Sequence, residues 1–302
     1  MSRVLTGEAS PLPWSGLALA LVGSIAFSGK AIIIKLAYRH GVDPITLIML
    51  RMLLALPLFA ALAWWAGRGK PALTRRDRWL VLALGFCGYY LASLLDFIGL
   101  QYLSASLGRL ILYLTPTVVL LLGAVLFKRH VTWRQMLALA VGYAGALLVF
   151  GHELHRQGGQ VALGAMFVFG SMLCYAVYLL YSGEVVQRVG SLRLTGLATS
   201  VACVLCIGHW LVTMPLAGIY TVAPPVWWLS VLNATLCTFA PVLLTMMAIE
   251  RIGAALSAQV GMIGPLSTIA MGIALLGEPF TPWLAAGTLC VLAGVWLLAR
   301  WR

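Results

Sequence analysis

Long apolar runs separated by short polar breaks fill the chain, and this pattern predicts ten membrane-spanning helices. A helix needs about 20 apolar residues to cross a bilayer, and the runs lack the alternation of barrel strands. The breaks carry helix-interrupting residues and lie at Gly41-Val42-Asp43-Pro44, Arg68 to Arg78, His152 to Gln160, and Ala223-Pro224-Pro225. The predicted spans cover residues 14–36, 44–66, 79–101, 105–127, 134–150, 161–182, 192–214, 226–249, 254–276 and 282–299.

The second half of the chain repeats much of the first at a fixed interval. Residues 95–149 match residues 244–298 without gaps, and each matched pair is 149 positions apart. The pairs include Pro116 with Pro265, Gly123 with Gly272, Thr132 with Thr281, and Gly145 with Gly294. Apolar sequence matches leucines by chance more readily than prolines and glycines, so the match indicates an internal duplication. It predicts two units, residues 1–151 and 161–302.

Each predicted unit has five spans, and this odd number has a topological consequence. The second unit must enter the membrane from the opposite face, which makes the two units inverted repeats. Secondary transporters often have this plan, with the substrate site near the midplane between the halves. The predicted fold is an all-α integral membrane protein that works by alternating access.

Composition agrees with a membrane protein. Charged residues make up 9% of the chain and apolar residues 62%, whereas soluble domains carry roughly 25% charged residues. The net charge of +12 would suggest nucleic acid in a soluble protein, but here the preferred interpretation is a set of topology-determining loop charges. One side of the predicted bundle holds 14 basic residues and the other holds 3. The positive-inside rule therefore places both termini in the cytoplasm.

Four charged residues lie within predicted spans and cannot be assigned to loops: Lys30, Arg51, Asp96 and Arg109. Charge inside a membrane is costly and is a functional hypothesis by default. Three bases and one acid leave a positive surplus, which suits the carboxylate of an amino acid or another anionic substrate. The alternative is that Asp96 pairs with Arg109 or Lys30 as a structural bridge while Arg51 snorkels outward. Asp96 is also the obvious candidate for proton coupling.

Two predicted helices carry polar stripes. Tyr89, Ser93 and Asp96 are spaced four and three apart, with Tyr90 at the edge of their face, and Tyr175 and Tyr178 are three apart in the sixth span. Tyrosines that face a cavity offer ring surface and a hydroxyl, which suits apolar or aromatic cargo with a polar end. The alternative is helix packing.

Prolines mark corresponding positions in the fourth and ninth spans. Arg109, Tyr113 and Pro116 lie at i, i+4 and i+7, and Gln259 lies near Pro265 in the second copy. Proline frees a backbone carbonyl, and paired broken helices point to a transport site. Alternatively, the prolines only shape the bundle.

The sequence offers little for an enzyme, and we predict no cofactor and no metal site. His152-Glu153-Leu154-His155 lacks the i, i+4 histidines of a helical zinc site and is expected in a solvated loop. No nucleotide-binding fingerprint or nucleophile elbow is present.

The repeated segments resemble the drug/metabolite transporter superfamily in its EamA-domain branch. The resemblance rests on residues 99–106 with Pro116 and residues 140–148, and on residues 248–255 with Pro265, Gly277-Glu278-Pro279 and Ala293-Gly294. Lys128-Arg129 stands where the family has glycine and glutamate, so a role for that glutamate carries over to Glu278 alone. The chain most resembles bacterial exporters of aromatic and other amino acids, also associated with viologen efflux.

This resemblance implies ten helices in inverted repeats, a central cavity, and export of metabolites across the bacterial inner membrane. The predicted function is export of aromatic and other apolar amino acids and related small metabolites. The alternative is a proton-coupled multidrug or viologen-type cation exporter. The expected partners are small-molecule substrates and the lipid bilayer, with no nucleic acid and no obligate protein. Predicted substrate-binding residues are Tyr89, Tyr90, Ser93, Asp96, Tyr175, Tyr178, Lys30, Arg109, Tyr113 and Gln259.

Overall fold

The computed structural model describes residues 14–128, 131–261 and 263–300, apart from the side chains of residues 127, 157, 254, 255, 258 and 259. These residues form helices and no strand, as the apolar pattern predicts. The helices are α1 (Trp14–Tyr38), α2 (Pro44–Gly67), α3 (Arg75–Gly99), α4 (Ala105–Leu126), α5 (Trp133–Arg156), α6 (Gln160–Val189), α7 (Ser191–Thr213), α8 (Pro224–Gly253), α9 (Ile263–Leu276) and α10 (Pro282–Arg300).

Nine helices in the described ranges are long and apolar enough to cross a membrane, and α9 is shorter. Of the ninth predicted span, residues 254–276, the structure describes helical residues on both sides of residue 262, which lies outside the described ranges. Gly253 adopts a φ of 77° and turns the backbone at the end of α8, a conformation that glycine adopts without a steric penalty. Helical residues follow as far as Gly261, and α9 begins at Ile263. A tenth full-length span is therefore not confirmed.

Helices begin where the sequence supplies a capping residue. Asp43 accepts a hydrogen bond from the backbone N of Thr46 at 2.9 Å before α2. Ser104 accepts one from the backbone N of Leu107 at 3.1 Å before α4. Thr132 opens α5 in a reciprocal capping box. Each cap satisfies an amide that the helix leaves without a partner.

Two helices extend further than their apolar runs. The helix of α5 continues through His155, so the prediction of a solvated loop at residues 152–155 is wrong. Its polar end remains helical because the Glu153 carboxylate accepts a hydrogen bond from the Ser104 hydroxyl. Similarly, α6 continues to Val189, and Arg188 near its end pairs with Asp77 of α3 at 2.9 Å. Hydropathy alone ends a helix too early when the last turn is polar and paired.

The helices pack in a pattern that is preserved when each helix is exchanged with the helix five positions away. Helix α1 packs on α8 and α9, and α6 packs on α3 and α4. Two further large contacts, α2 with α7 and α5 with α10, are unchanged by this exchange, because each joins a helix to its own counterpart. This is the packing expected of two five-helix units related by a two-fold axis.

The contact between α5 and α10 is close because glycines line it. A Cβ on Gly145 would lie 2.6 Å from the carbonyl oxygen of Gly287, and a Cβ on Gly294 would lie 2.8 Å from that of Ala138. These two contacts exchange under the 149-residue interval. Gly145 and Gly294 therefore permit the close approach of these two helices.

Two local backbone features also recur at that interval. Helix α3 contains a π-helical segment, Gly85–Leu91, and α8 contains one at Thr235–Phe239. Lys128 ends α4 in the left-handed conformation at φ 50°, and Gly277 ends α9 in the same way at φ 72°. A lysine thus occupies a backbone conformation that favours glycine.

Candidate functional site

A buried ion pair joins α1 to α3. The Nζ atom of Lys30 lies 2.6 Å from Oδ2 of Asp96, and the two side chains are 11% and 3% exposed. Both residues are in the half of the bundle opposite the predicted cytoplasmic side, which we call the outer half. The sequence left open whether Asp96 pairs with Lys30 or Arg109, and the structure gives Lys30 as the partner.

Arg109 of α4 lies beside this pair but bonds only to neutral groups among the described residues. Its Nε atom donates to the Thr268 hydroxyl at 3.2 Å, and Nη2 donates to the backbone oxygen of Phe27 at 3.1 Å. The guanidinium carbon is 5.1 Å from the centre of the Phe27 ring. Helix α9 thereby contributes Thr268 to a site whose charges come from the first five helices.

Arg51 of α2 is also buried, so the alternative in which it snorkels outward is wrong. The residue is 6% exposed, and its Nε atom donates to the Thr238 hydroxyl of α8 at 3.0 Å. Its guanidinium carbon is 5.4 Å from the centre of the Phe97 ring. Its Nη1 atom is buried and has no hydrogen-bond partner in the described part of the chain.

Together these four side chains form a positively charged cluster, which we call the outer charge cluster: Lys30, Arg51, Asp96 and Arg109. Arg51 and Arg109 lie close enough to Lys30 for their charges to repel it, and Asp96 attracts all three bases. One carboxylate among three cations leaves a formal surplus of two positive charges. Such a surplus is unfavourable inside a membrane unless an anion approaches it.

The predicted tyrosines form a separate aromatic cluster. The hydroxyls of Tyr89 and Tyr178 are 3.1 Å apart, and their rings meet edge to face with centroids 5.0 Å apart. Tyr175 stacks on Tyr178 at 5.7 Å. The Tyr90 hydroxyl is 2.9 Å from Nδ1 of His209 on α7.

The remaining predicted residues are less closely connected. Ser93 is half-buried on α3, between the tyrosines and Asp96 along the helix. Tyr113 is half-buried and packs against the main apolar core. The side chain of Gln259 lies outside the described residues. The described contacts therefore form two clusters, one of Lys30, Asp96 and Arg109 and one of Tyr89, Tyr175 and Tyr178, whereas Tyr90 pairs with His209.

A cavity of about 480 Å³ opens at the outer end of the bundle, near the charge cluster. Lys35 lies in its wall five residues beyond Lys30 on α1, which is roughly 7.5 Å along a helix. The Tyr38 hydroxyl, also in the wall, donates to the backbone oxygen of Phe97 at 2.6 Å. The other polar wall residues are Arg39, Gln101, Tyr102, Ser104 and Glu278.

Glu278 has a role in the structure that the sequence did not reveal. Its carboxylate accepts hydrogen bonds from the backbone N of Ala105 at 2.6 Å, from the backbone N of Ser106 at 3.2 Å, and from the Ser106 hydroxyl at 2.5 Å. It therefore binds the N-terminus of α4, where the helix dipole favours negative charge. Arg39 adds a bond from α1 to the backbone oxygen of Leu276 at 2.6 Å. We call this group of contacts the outer latch, since it ties the α9–α10 turn to α4 and α1.

Comparison with known proteins gives a consistent picture. The model of the EamA-like transporter family matches residues 14–151 and again residues 162–300. The uncharacterized transporter YcbK of Bacillus subtilis is 31% identical over 272 residues, covering 87% of this chain and 86% of its own. The S-adenosylmethionine/S-adenosylhomocysteine transporter of Chlamydia trachomatis is 26% identical over 213 residues, covering 68% of this chain and 65% of its own.

A solved crystal structure has the same fold. It superposes with a TM-score of 0.63 over 95% of this chain and 98% of its own, at 18% sequence identity.

Proposed function

Because the chain belongs to the EamA-like transporter family, and is thus a multi-pass membrane transporter, we propose that it exports amino acids and related small metabolites. The proposed cargo is aromatic and other apolar amino acids, as for the exporters that the sequence resembles. The proposed location is the bacterial inner membrane, with both termini cytoplasmic. The 14 basic residues on one side of the bundle, against 3 on the other, support this orientation.

The observation that carries the proposal is the composition of the outer charge cluster. Asp96 is paired with Lys30 at 2.6 Å, while the hydrogen-bond partners of Arg109 are the neutral groups of Thr268 and Phe27. A guanidinium that bonds only to neutral groups is available to a carboxylate, which it binds in a two-pronged geometry. Asp96 remains in reach of the same region and suits the ammonium group of an amino acid.

The aromatic cluster supplies a surface for the side chain of the cargo. Tyr175 is 38% exposed, and the hydroxyls of Tyr89 and Tyr178 bond to each other. Rings with paired hydroxyls accept an apolar or aromatic group without leaving a buried polar atom unsatisfied. We propose that the cargo contacts the outer charge cluster through its carboxylate and ammonium groups and the tyrosines through its side chain.

The relative that transports S-adenosylmethionine supports this substrate class. S-adenosylmethionine carries the same α-amino and carboxylate groups as a free amino acid. A site for those two groups, with a variable side-chain surface, would serve both kinds of cargo.

The proposed mechanism is alternating access between two inverted five-helix repeats, residues 1–151 and 161–302. Two observations support this mechanism. The contact of α1 with α8 corresponds to the contact of α6 with α3 when the two halves are exchanged, and the contact of α5 with α10 is unchanged by that exchange. In this mechanism the outer latch and the cytoplasmic end of the bundle open in turn. The charge cluster is exposed to one side at a time.

The test is counterflow of labelled phenylalanine in proteoliposomes, competed with unlabelled amino acids and with methyl viologen. We expect amino acids to compete and Arg109→Gln to reduce exchange at least tenfold. Arg134→Gln, which removes an exposed arginine, is the matched control and should exchange like wild type. Uptake of methyl viologen without amino-acid exchange would refute the proposal and favour a cation exporter centred on Asp96.

A further inference from the structure

The unpaired nitrogen of Arg51 lies in a region where a partner is required. Arg51 was not among the predicted binding residues, yet its guanidinium is buried and its Nη1 atom has no partner in the described residues. Among the described residues its side chain donates to the Thr238 hydroxyl, which itself donates to the backbone oxygen of Asn233 at 2.7 Å. A buried charged donor left unpaired is costly, so this position favours an additional ligand.

Charge balance gives the sign of that ligand. The ionisable groups close to Arg51 include Lys30, which repels it, Asp96, and three cysteines, Cys203, Cys206 and Cys237. Thiols are neutral at ordinary pH, and the single carboxylate is already paired with Lys30. A zwitterionic amino acid adds no net charge, so the surplus of two positive charges would persist after it binds.

The neighbouring part of α8 carries further donors. Ser230 and Asn233 are three residues apart and share a face of the helix. Both are fully buried, and neither the Ser230 hydroxyl nor the Asn233 amide has a hydrogen-bond partner within the described ranges. Hydroxyl and amide donors, on the same helix that supplies the Thr238 partner of the guanidinium, are groups that bind anions.

We propose that Arg51 provides a second anion-binding position, separate from the carboxylate position at Arg109. The ligand is a compact anion. It is supplied either as a second acidic group on the cargo itself or as a free ion such as chloride that accompanies a zwitterionic cargo. This inference rests on the proposed function for its role in transport, but anion binding at Arg51 is measurable without transport.

The first experiment is thermal unfolding of the purified full chain in detergent. Sodium chloride is compared with sodium gluconate, and glutamate with glutamine, which has the same shape without the charge. We compare wild type, Arg51→Gln, Arg51→Lys, and the exposed control Arg134→Gln. At about ten times the dissociation constant, a ligand of this kind should raise Tm by roughly 3–5 °C. Wild type and Arg134→Gln should show the rise for chloride or for glutamate, and Arg51→Gln should lose it.

The second experiment separates the two sources. If the anion is free, phenylalanine counterflow should fall at least fivefold when gluconate replaces chloride. If the cargo supplies it, glutamate should compete at least tenfold better than glutamine, and chloride should have no effect. Arg51→Lys keeps the charge and the fold but loses the planar fork, and should weaken either effect.

The results distinguish this inference from the proposed function. Anion stabilisation that is absent in Arg51→Gln, without phenylalanine exchange in wild type, supports the anion position and refutes amino-acid export. Phenylalanine exchange without any effect of chloride or glutamate, or with an effect that persists in Arg51→Gln, refutes the anion position. If Arg51→Gln does not fold, an anion response in Arg51→Lys as large as that of wild type refutes it equally.

Discussion

Removing the charge of Glu278 should open the outer end of the protein. The carboxylate holds two backbone amides and one hydroxyl at the N-terminus of α4, at distances of 2.5 to 3.2 Å. A negative charge in a partly buried site at a helix N-terminus contributes up to about 2 kcal/mol. Glu278→Gln keeps the shape but loses the charge. A loss of about 2 kcal/mol changes the ratio of open to closed forms roughly thirtyfold.

The opening is measured as a distance between spin labels on the two sides of the outer latch. Gln101 and Phe280 are exposed, and they lie in the α3–α4 and α9–α10 connections. Spin labels are attached to cysteines introduced at these two positions, after the six native cysteines have been replaced. Double electron–electron resonance then measures the distance between the two labels. A population with a longer label-to-label distance should appear in Glu278→Gln. In the labelled protein that keeps Glu278, this population should stay small.

The matched control is Glu250→Gln, which removes an exposed glutamate near the predicted cytoplasmic end of α8. It changes the net charge equally without touching the latch. If Glu278→Gln and Glu250→Gln give the same distance distribution, the carboxylate does not hold the outer end closed. The reasoning from the α4 hydrogen bonds would then be wrong.

Three further predictions concern stability, each measured by thermal unfolding in detergent. Lys128→Gly should stabilise the protein by about 1 kcal/mol because it relieves a left-handed conformation, whereas Lys128→Ala should not; equal effects would contradict this. Lys30→Met should destabilise the protein by about 3–5 kcal/mol because it leaves Asp96 unpaired. Adding Asp96→Leu should restore most of the lost stability. If the losses from the two substitutions add instead, Lys30 and Asp96 do not stabilise the protein as an ion pair. Gly145→Val should prevent close packing of α5 on α10 and lower the free energy of unfolding by about 3 kcal/mol or more. Gly151→Val on the same helix meets open space and should lower it by about 1 kcal/mol at most. Similar losses in the two variants would contradict the packing account.

Hydropathy and helix-breaking residues were sufficient to locate the helices, because both are local properties. Asp43 and Pro44 mark the start of α2 by their own chemistry, and the described α2 begins where they predict. The α5 helix was cut short in the prediction because its last turn is polar. The bond from Ser104 to Glu153 that keeps this turn in place joins residues 49 positions apart.

The charges of the site were visible in the sequence, but their partners were not. Lys30 and Asp96 were recognised, and their pairing was one of two alternatives. The direction in which the Arg51 side chain points could not be predicted. Arg51 is the eighth residue of α2, and an arginine at that depth reaches either the membrane surface or the interior of the bundle. The interactions of Glu278 could not be predicted, because its hydrogen-bond donors on α4 are more than 170 residues away in the sequence.

The π-helical segments of α3 and α8 also bear on how the chain arose. A π turn holds one residue more than the α turn it replaces, so each segment records an added residue. Gly85–Leu91, moved by the 149-residue interval, falls on the Thr235–Phe239 segment. Separate additions at the same place in both halves would be a coincidence. If the two halves arose by duplication, as the 149-residue interval predicts, we expect the extra residue to have been present before the gene doubled.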